Sequence, residues 1–431
     1  MLPRKMPWSH DRTFAGALAD SGLLIRPARP SDDAACKALE VSASQFQDRL
    51  TNGRLLKFAL HHYGRFDAKC AQFADWVVLV CEDTTRGGAV VGVIEVVLAE
   101  MHVHGAARRG GFLFDLRVDG GYQRRGIGRA LSHEAEAASA ARGAAYLYLS
   151  VNGTNQKSRS LFNSMGWRPA SRRCLVFRPL LLPQKVAAAA ASLPPAAWPA
   201  PLEREAAERL AAHHYARRDL GLDRTGFGSL FSSELYLGTW HAKDGAGSEA
   251  ALSLWAGSAF VGFLPVRLLF LPARAWGYVI LPALGAAAAL GLAAAGARLW
   301  ANAAAVAGAA AAPVVRAGLV AAAAAAATAA WRVIGFVRGR TAVRARAIAP
   351  VYSGPNWEPL MRAVHAAVVK EARDRGFAVI VMNIDADDPL AAALGVGGRA
   401  PTIFLQRSLS GRGEAELPPL APDSFFDPRP W

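Results

Sequence analysis

The run Leu116-Arg117-Val118-Asp119-Gly120-Gly121-Tyr122-Gln123-Arg124-Arg125-Gly126-Ile127-Gly128-Arg129-Ala130-Leu131 passes from an apolar strand through a basic, glycine-punctuated loop straight into a helix. A helix start leaves backbone N–H groups unpaired and carries partial positive charge. A diphosphate can sit there and accept bonds from successive amides. Gly126 and Gly128 lack the side chains that would block its approach, and Arg124, Arg125 and Arg129 add charge. No Gly-Lys-Ser/Thr follows and the dinucleotide spacing is absent, so this is neither a Walker loop nor a Rossmann turn.

Outward from this loop, the chain from 23 to 182 alternates strand-like and helix-like segments. Strands are predicted at 23–27, 76–81, 89–98, 112–118 and 145–151, helices at 127–142 and 155–165, and a closing hairpin at 167–177. Pro30-Ser31-Asp32-Asp33 reads as a helix start, with Ser31 or Asp32 as its cap. Residues 1–22 form a leader, and 183–201, rich in Ala and Pro, a linker. A second globular segment spans 202–259 and resumes at 345–410, with strands at 235–240 and 250–255. It then repeats the order strand, loop, helix, strand over 347–384, without a glycine-rich loop. The tail is 411–431.

Between these parts, 260–344 is Ala-rich. Residues 275–297 carry no charge, a second Ala run fills 317–331, and arginines follow. Two readings stay open, a helical insertion and a membrane hairpin through 275–331.

The chain has 431 residues, 52% of them hydrophobic and 19% charged, enough for two or three packed domains and too apolar for general disorder. A net charge of +15 attracts polyanions, among them a phosphorylated cofactor. No nucleic-acid module is recognisable. Cys36, Cys70, Cys81 and Cys174 form neither a CxxC pair nor a zinc spacing, and read as reduced intracellular thiols. No metal site is expected. His102 and His104 share a strand face without a third ligand, the pairs His61-His62 and His213-His214 read as surface residues, and Asp385, Asp387 and Asp388 read as a turn and helix cap. No hydrolase signature is present. The compartment stays open, with nucleus or cytosol favoured and plastid and membrane as alternatives.

The loop Gln123-Arg124-Arg125-Gly126-Ile127-Gly128 resembles the cofactor motif of the GNAT superfamily of acyltransferases, Gln/Arg-x-x-Gly-x-Gly/Ala. The resemblance covers about 23–180. It implies an α/β (α+β) fold with a mixed central sheet, acetyl-CoA as co-substrate and an amine as acceptor. It implies that residues 123–129 hold the coenzyme A pyrophosphate, and that the strand Leu116, Arg117 and Val118 offers backbone groups to the pantetheine arm and thioester carbonyl. Asn155, Ser158 and Phe162 match the family pattern on the following helix, with Asn155 placed to bond the pantetheine. Many members carry Tyr where Phe162 stands, to protonate the leaving thiolate. Tyr122, Tyr148 or water would substitute, or the thiolate would leave unaided. The amine must lose a proton to a base, and Asp115 and Glu95 are the candidates. Acceptor choice is expected in loops around 48–72 and 99–111.

The whole chain also resembles the plant Hookless-type probable N-acetyltransferases, through Leu235-Tyr236-Leu237-Gly238-Thr239-Trp240, the strand 250–255, Asp387-Asp388-Pro389-Leu390 and Phe425-Phe426-Asp427-Pro428-Arg429. That resemblance implies a second, divergent GNAT-like unit that does not bind coenzyme A. The alternative activity is a catalytically weak acetyl-CoA-binding regulator or scaffold.

Overall fold

The computed structural model describes residues 20–43, 46–47, 56–62, 64–103, 105–180, 193–216, 218–220, 224–256, 261–268, 271–272, 344–377, 379–394, 402–409 and 420. Residues 1–19 of the expected leader, the Ala-rich runs within 275–331 and the motif Phe425–Arg429 lie outside them.

The first half runs β1 (Leu23–Pro27), α1 (Asp33–Ala43), β2 (Phe46–Gln47), β3 (Leu56–His62), β4 (Asp75–Asp83), β5 (Ala89–Val103), β6 (Ala106–Val118), α2 (Ile127–Ala140), β7 (Tyr146–Asn152), α3 (Gln156–Ser164) and β8 (Arg168–Pro179). The second runs β9 (Ala200–Leu202), α4 (Arg204–Tyr215), α5 (Arg224–Ser232), β10 (Tyr236–Lys243), β11 (Glu249–Trp255), β12 (Val261–Leu268), β13 (Leu271–Pro272), β14 (Arg344–Ser353), α6 (Trp357–Asp374), β15 (Val379–Asp385), α7 (Pro389–Ala393) and β16 (Thr402–Ser408). The result is a mixed α/β architecture, as the sequence implied.

Alternation along β5 and β6 decides the layers, because successive strand residues face opposite ways. Ile94, Val96, Leu98 and Leu113 pack under α2, which turns Ile127, Leu131, Ala135 and Ala138 inward. Val93, Val97, Phe112 and Phe114 face the other way, against Cys36 and Leu39 of α1 and the short turns carrying Phe66, Cys70 and Phe73. Asp32 begins α1 differently from the expected cap. Its carboxylate accepts from the Arg29 amide at 2.6 Å and is held by Arg26. In the second half Leu360, Met361, Val364, Val368 and Ala372 give α6 one apolar face, packed on Leu252, Leu254 and Ile380.

One twelve-stranded sheet joins the halves, in the order β1-β4-β5-β6-β7-β16-β8-β15-β14-β11-β10-β9. The order reads the same from either end once each strand is exchanged for its counterpart in the other half. At the centre each half gives up its last strand. β16 pairs with β7 of the first half, and β8 pairs with β15 of the second. The expected hairpin at 167–177 is therefore not formed. β8 is a single strand, because its first part is paired along β16 and its last part along β15. Arg407 of β16 seals the exchange by reaching Glu136 of α2 at 3.2 Å, where the Trp167 indole N–H donates to the other carboxylate oxygen at 2.8 Å.

A smaller sheet, β13-β12-β3-β2, lies apart. β12 shows that the segment 260–344 begins as strand and not as helix, since its residues pair with His62 through Leu56 of β3. Residues 99–103 and 106–111 are strand and not loop. They are the paired ends of β5 and β6, from Ala99↔Gly110 to Val103↔Ala106. Among the described residues no helix is long and apolar enough to cross a membrane.

Candidate functional site

Two neighbouring strands part at the centre of the first half. β6 and β7 are parallel and paired from Gly110↔Tyr146 to Leu113↔Leu149, and both run on beyond the last pair unjoined. Where they part, β6 carries a bulge. Phe114 opposes Glu95 and Arg117 opposes Val93, which leaves β6 one residue longer than its partner. Asp115 takes up the excess with a φ of 49°. A bulge re-aims the residues beyond it, here Leu116 to Val118.

The basic loop lies at the mouth of this gap. Gln123, Arg124, Arg125 and Gly126 are exposed. The amides from Gln123 through Arg129 donate to no backbone carbonyl among the described residues. Gly126, at φ 83°, adopts the left-handed turn that opens α2, and Arg124 is also left-handed at 64°. Asp119 accepts from the Gly121 amide at 2.9 Å, and the Tyr122 hydroxyl donates to Asp83 at 2.7 Å. Arg125 lies 4.7 Å above the Tyr122 ring and donates to the Gly121 carbonyl. Arg129 donates to Ser164 at 2.7 Å, and Lys157 to Gln123 at 3.4 Å.

Gly128 has a different reason from the one its spacing suggested. A side chain there would point at Leu161 (3.5 Å), Leu116 and Val118 (3.8 Å each), not at the open loop. Its absence lets α2 lie close to the apolar wall of the gap. Across the gap, Asn155 caps α3 by accepting from the Ser158 amide at 3.2 Å. Phe162 is a core residue at 4% exposure, edge-on to Trp167 with centroids 5.4 Å apart. The Tyr148 hydroxyl is sealed in the core without a partner.

On the α1 side of the bulge lies a buried ionic cluster. Lys69 contacts Asp115 directly and approaches Glu40 at 3.8 Å and Glu95 at 3.9 Å, with its ammonium 5.4 Å from the Phe114 ring centre. Arg117 donates to the other Asp115 oxygen at 3.0 Å, and His62 Nε2 lies 2.9 Å from Glu40. Neither Glu95 oxygen has a hydrogen-bond partner of good geometry. Burial drives the Glu95 carboxyl well above its ordinary range, with Lys69 pulling the other way and Asp115 and Glu40 adding to the rise. Burial also opposes the Asp115 charge, but Lys69 and Arg117 outweigh it and hold that carboxyl below its ordinary range. The Lys69 ammonium, disfavoured by burial, is held above its ordinary range by Asp115, Glu95 and Glu40.

Sequence reasoning found Asp115 and Glu95 and missed Glu40, His62 and Lys69. Glu40 had a signal, a carboxylate on the same helix face as Cys36. Lys69 and His62 had none, and His62, read as a surface residue, is buried. His214 is likewise half-buried, its pKa lowered to about 3 by burial, Arg218 and His213. Asp388 caps the Leu390 amide and Asp385 accepts from the Asp387 amide, a turn and cap as expected. His104 lies outside the described residues. Among the described residues no cluster of three His, Cys, Asp or Glu could hold a metal.

Residues 52–167 match the family described as acetyltransferase (GNAT). The matched stretch, from before β3 to the start of β8, is similar to a GNAT acetyltransferase domain. No curated protein matches the chain. Among solved structures, the N-myristoyltransferase of Saccharomyces cerevisiae with bound myristoyl-CoA is similar at 9% identity and TM-score 0.51, over 90% of this chain and 79% of that one. A GCN5-related N-acetyltransferase from Kribbella flavida is similar at 10% identity and TM-score 0.46, over 92% of this chain and 73% of that one. A tandem GNAT protein from the clavulanic acid biosynthesis pathway is similar at 12% identity and TM-score 0.48, over 90% and 99%. The yeast likeness carries fold alone.

The second half repeats the framework of the first half without its loop. β14 and β15 pair in parallel from Arg344↔Val379 to Ala347↔Met382 and then part. Ala349, φ 47°, bulges from β14 two residues after the last pair, as Asp115 does from β6. Only 354–356 link β14 to α6, where 119–126 link β6 to α2. The gap is bridged by the chain itself. Tyr352 donates to Asp388, and its ring centre lies 4.3 Å from that of Trp357.

Proposed function

We propose that the chain is an acyl-CoA-dependent N-acyltransferase that moves an acetyl group to an amine by direct attack on the thioester. The observation that carries this is the run of unpaired amides from Gln123 to Arg129, flanked by arginines and opening on the gap where β6 and β7 part. The amides and Arg124, Arg125 and Arg129 would take the diphosphate. The pantetheine arm would run between Leu116, Arg117 and Val118 on one side and Asn155 and Ser158 on the other, so that the thioester meets the bulge. Backbone N–H groups freed where β6 leaves β7 would polarise its carbonyl.

Glu95 suits the base better than Asp115. Asp115 is clamped by two cations, whereas Glu95 meets the Lys69 ammonium only at 3.9 Å and has a proton affinity raised by burial. In the attack, the acceptor nitrogen gives a proton to Glu95, forms the new C–N bond, and the C–S bond breaks.

A second reading has its own support. Tyr122 is spent on Asp83, Tyr148 is sealed, and Phe162 has no hydroxyl, so the thiolate takes its proton from water or leaves unaided. This favours a slow enzyme, or a regulator that binds acetyl-CoA. We also carry as proposals the Hookless-type likeness, whose Tyr236–Trp240 opens β10, and the unit limits 23–182 and 202–259 with 345–410. The deciding experiment titrates acetyl-CoA into the full chain by calorimetry and follows thiol release with a panel of primary amines. Binding with amine-dependent release supports the enzyme. Binding without release leaves the regulator, and no binding by folded protein removes both.

A further inference from the structure

We propose that Lys69 is a site of self-acylation, taking the acyl group of the bound donor when no acceptor fills the cleft. This rests on the donor reading above. The ammonium of Lys69 is the chain's own primary amine at the place where an acceptor amine must come. It touches Asp115, the bulge residue at which β6 leaves β7, and Asp115 directly precedes the strand residues facing the donor. It stands over the Phe114 ring and 3.9 Å from the buried Glu95 carboxylate. Its side chain is 9% exposed, so it is shielded from bulk water. Lys69 and Cys70 sit in short turns between Phe66 and Gln72, not in a regular helix.

The step balances. Lys69 Nζ passes one proton to the Glu95 carboxylate and attacks the thioester carbonyl carbon. The C–N bond forms and the C–S bond breaks. The remaining excess proton goes from nitrogen to sulfur, so the products are an acyl-lysine, a thiol and a protonated Glu95. The acyl-lysine has no charge to pair with Asp115, which passes to Arg117 alone. The cluster then holds Glu40, Glu95 and Asp115 without the lysine cation, a more attractive place for an incoming ammonium.

The test starts from the wild-type chain. It is incubated with acetyl-CoA, digested, and acetylation is followed by mass spectrometry at Lys69, Lys157 and Lys370. Uncatalysed acetylation reaches exposed amines first, and Lys157 and Lys370 are exposed. Lys69 is expected to be modified at least about tenfold faster than either, from its fixed position beside the donor. Excess coenzyme A should suppress Lys69 alone. Glu95→Gln should slow it, and Lys69→Arg should remove it while keeping the charge. Acetyl groups on exposed lysines only, with calorimetry on the same sample showing bound donor, overturn the proposal and leave Lys69 a buried counter-ion. If no donor binds, the donor reading falls first and this one with it.

Discussion

Tyr352 donates its hydroxyl hydrogen to Asp388 at 2.6 Å, from β14 to the residue that caps α7, and so ties together the two strands that part in the second half. In the first half the corresponding places, by strand order and cap, belong to Val118 and Asn155, which share no such bond, and that gap stays open. Replacing Tyr352 with Phe should cost about 1 kcal/mol, the ordinary net worth of one hydrogen bond. Acetyl-CoA affinity should not change. Urea unfolding beside calorimetry checks both halves of this statement. A fall in affinity would mean that the second gap takes part in donor binding.

Gly126 and Gly128 should respond differently to alanine. At Gly126 a φ of 83° makes any side chain strained, at about 1 kcal/mol, and the strain falls on the amides offered to the donor. At Gly128 an added carbon meets Leu161, Leu116 and Val118 at ordinary contact distance. Gly128→Ala should fold normally and bind donor nearly as wild type, while Gly128→Leu should fold and lose the donor. Thermal melts and calorimetry on the three variants test this.

Glu95→Gln should separate stability from turnover. The folded Glu95 pKa is raised above its ordinary 4.5, so the charged form is disfavoured by folding. Wild type therefore loses stability as pH rises from about 4.5 through the folded pKa, and the Gln variant does not. The variant should match wild type at pH 4 and be the more stable of the two at pH 8. Its turnover should fall about 100-fold with KM for acetyl-CoA unchanged. Unchanged turnover would return the role of base to Asp115 or to water.

Arg129→Ala should weaken donor binding about tenfold, the worth of a charge-assisted bond. Raising salt should narrow the difference, because the loop is exposed and its field is screened. Isothermal titration at two salt concentrations measures it. A salt-independent loss would point to the lost Ser164 bond instead.

A fragment ending at residue 182 should not be a faithful first half. It lacks β16, so the edges of β7 and β8 that β16 covers would both lie bare. The fragment should aggregate or melt well below the full chain. Gel filtration and calorimetry decide it, and a stable, donor-binding monomer would show that β7 and β8 can pair directly.

Much was legible before the structure. The strand, loop and helix around Gly126 needed only local rules, since an apolar run, a left-handed glycine and an Ala/Leu helix are specified by neighbours in sequence. The cap at Asp388-Pro389 and the strand, helix, strand repeat in the second half were legible for the same reason. The hairpin at 167–177 failed because local pattern gives a strand but not its partner. Lys69 failed because nothing near it in sequence marks it, its partners Glu40, Glu95 and Asp115 arriving from a helix and two strands.

The sequence by itself determined the layers, the glycine-punctuated basic loop and the absence of such a loop in the second half, because side-chain periodicity, φ preference and helix starts are short-range. Only the tertiary structure decided that the halves exchange their last strands, that Asp115 bulges at the parting of β6 and β7, and that a lysine lies buried among three carboxylates. Strand pairing and burial depend on contacts between residues far apart in the chain, and the free energy of a charge depends on what surrounds it, which no local pattern records.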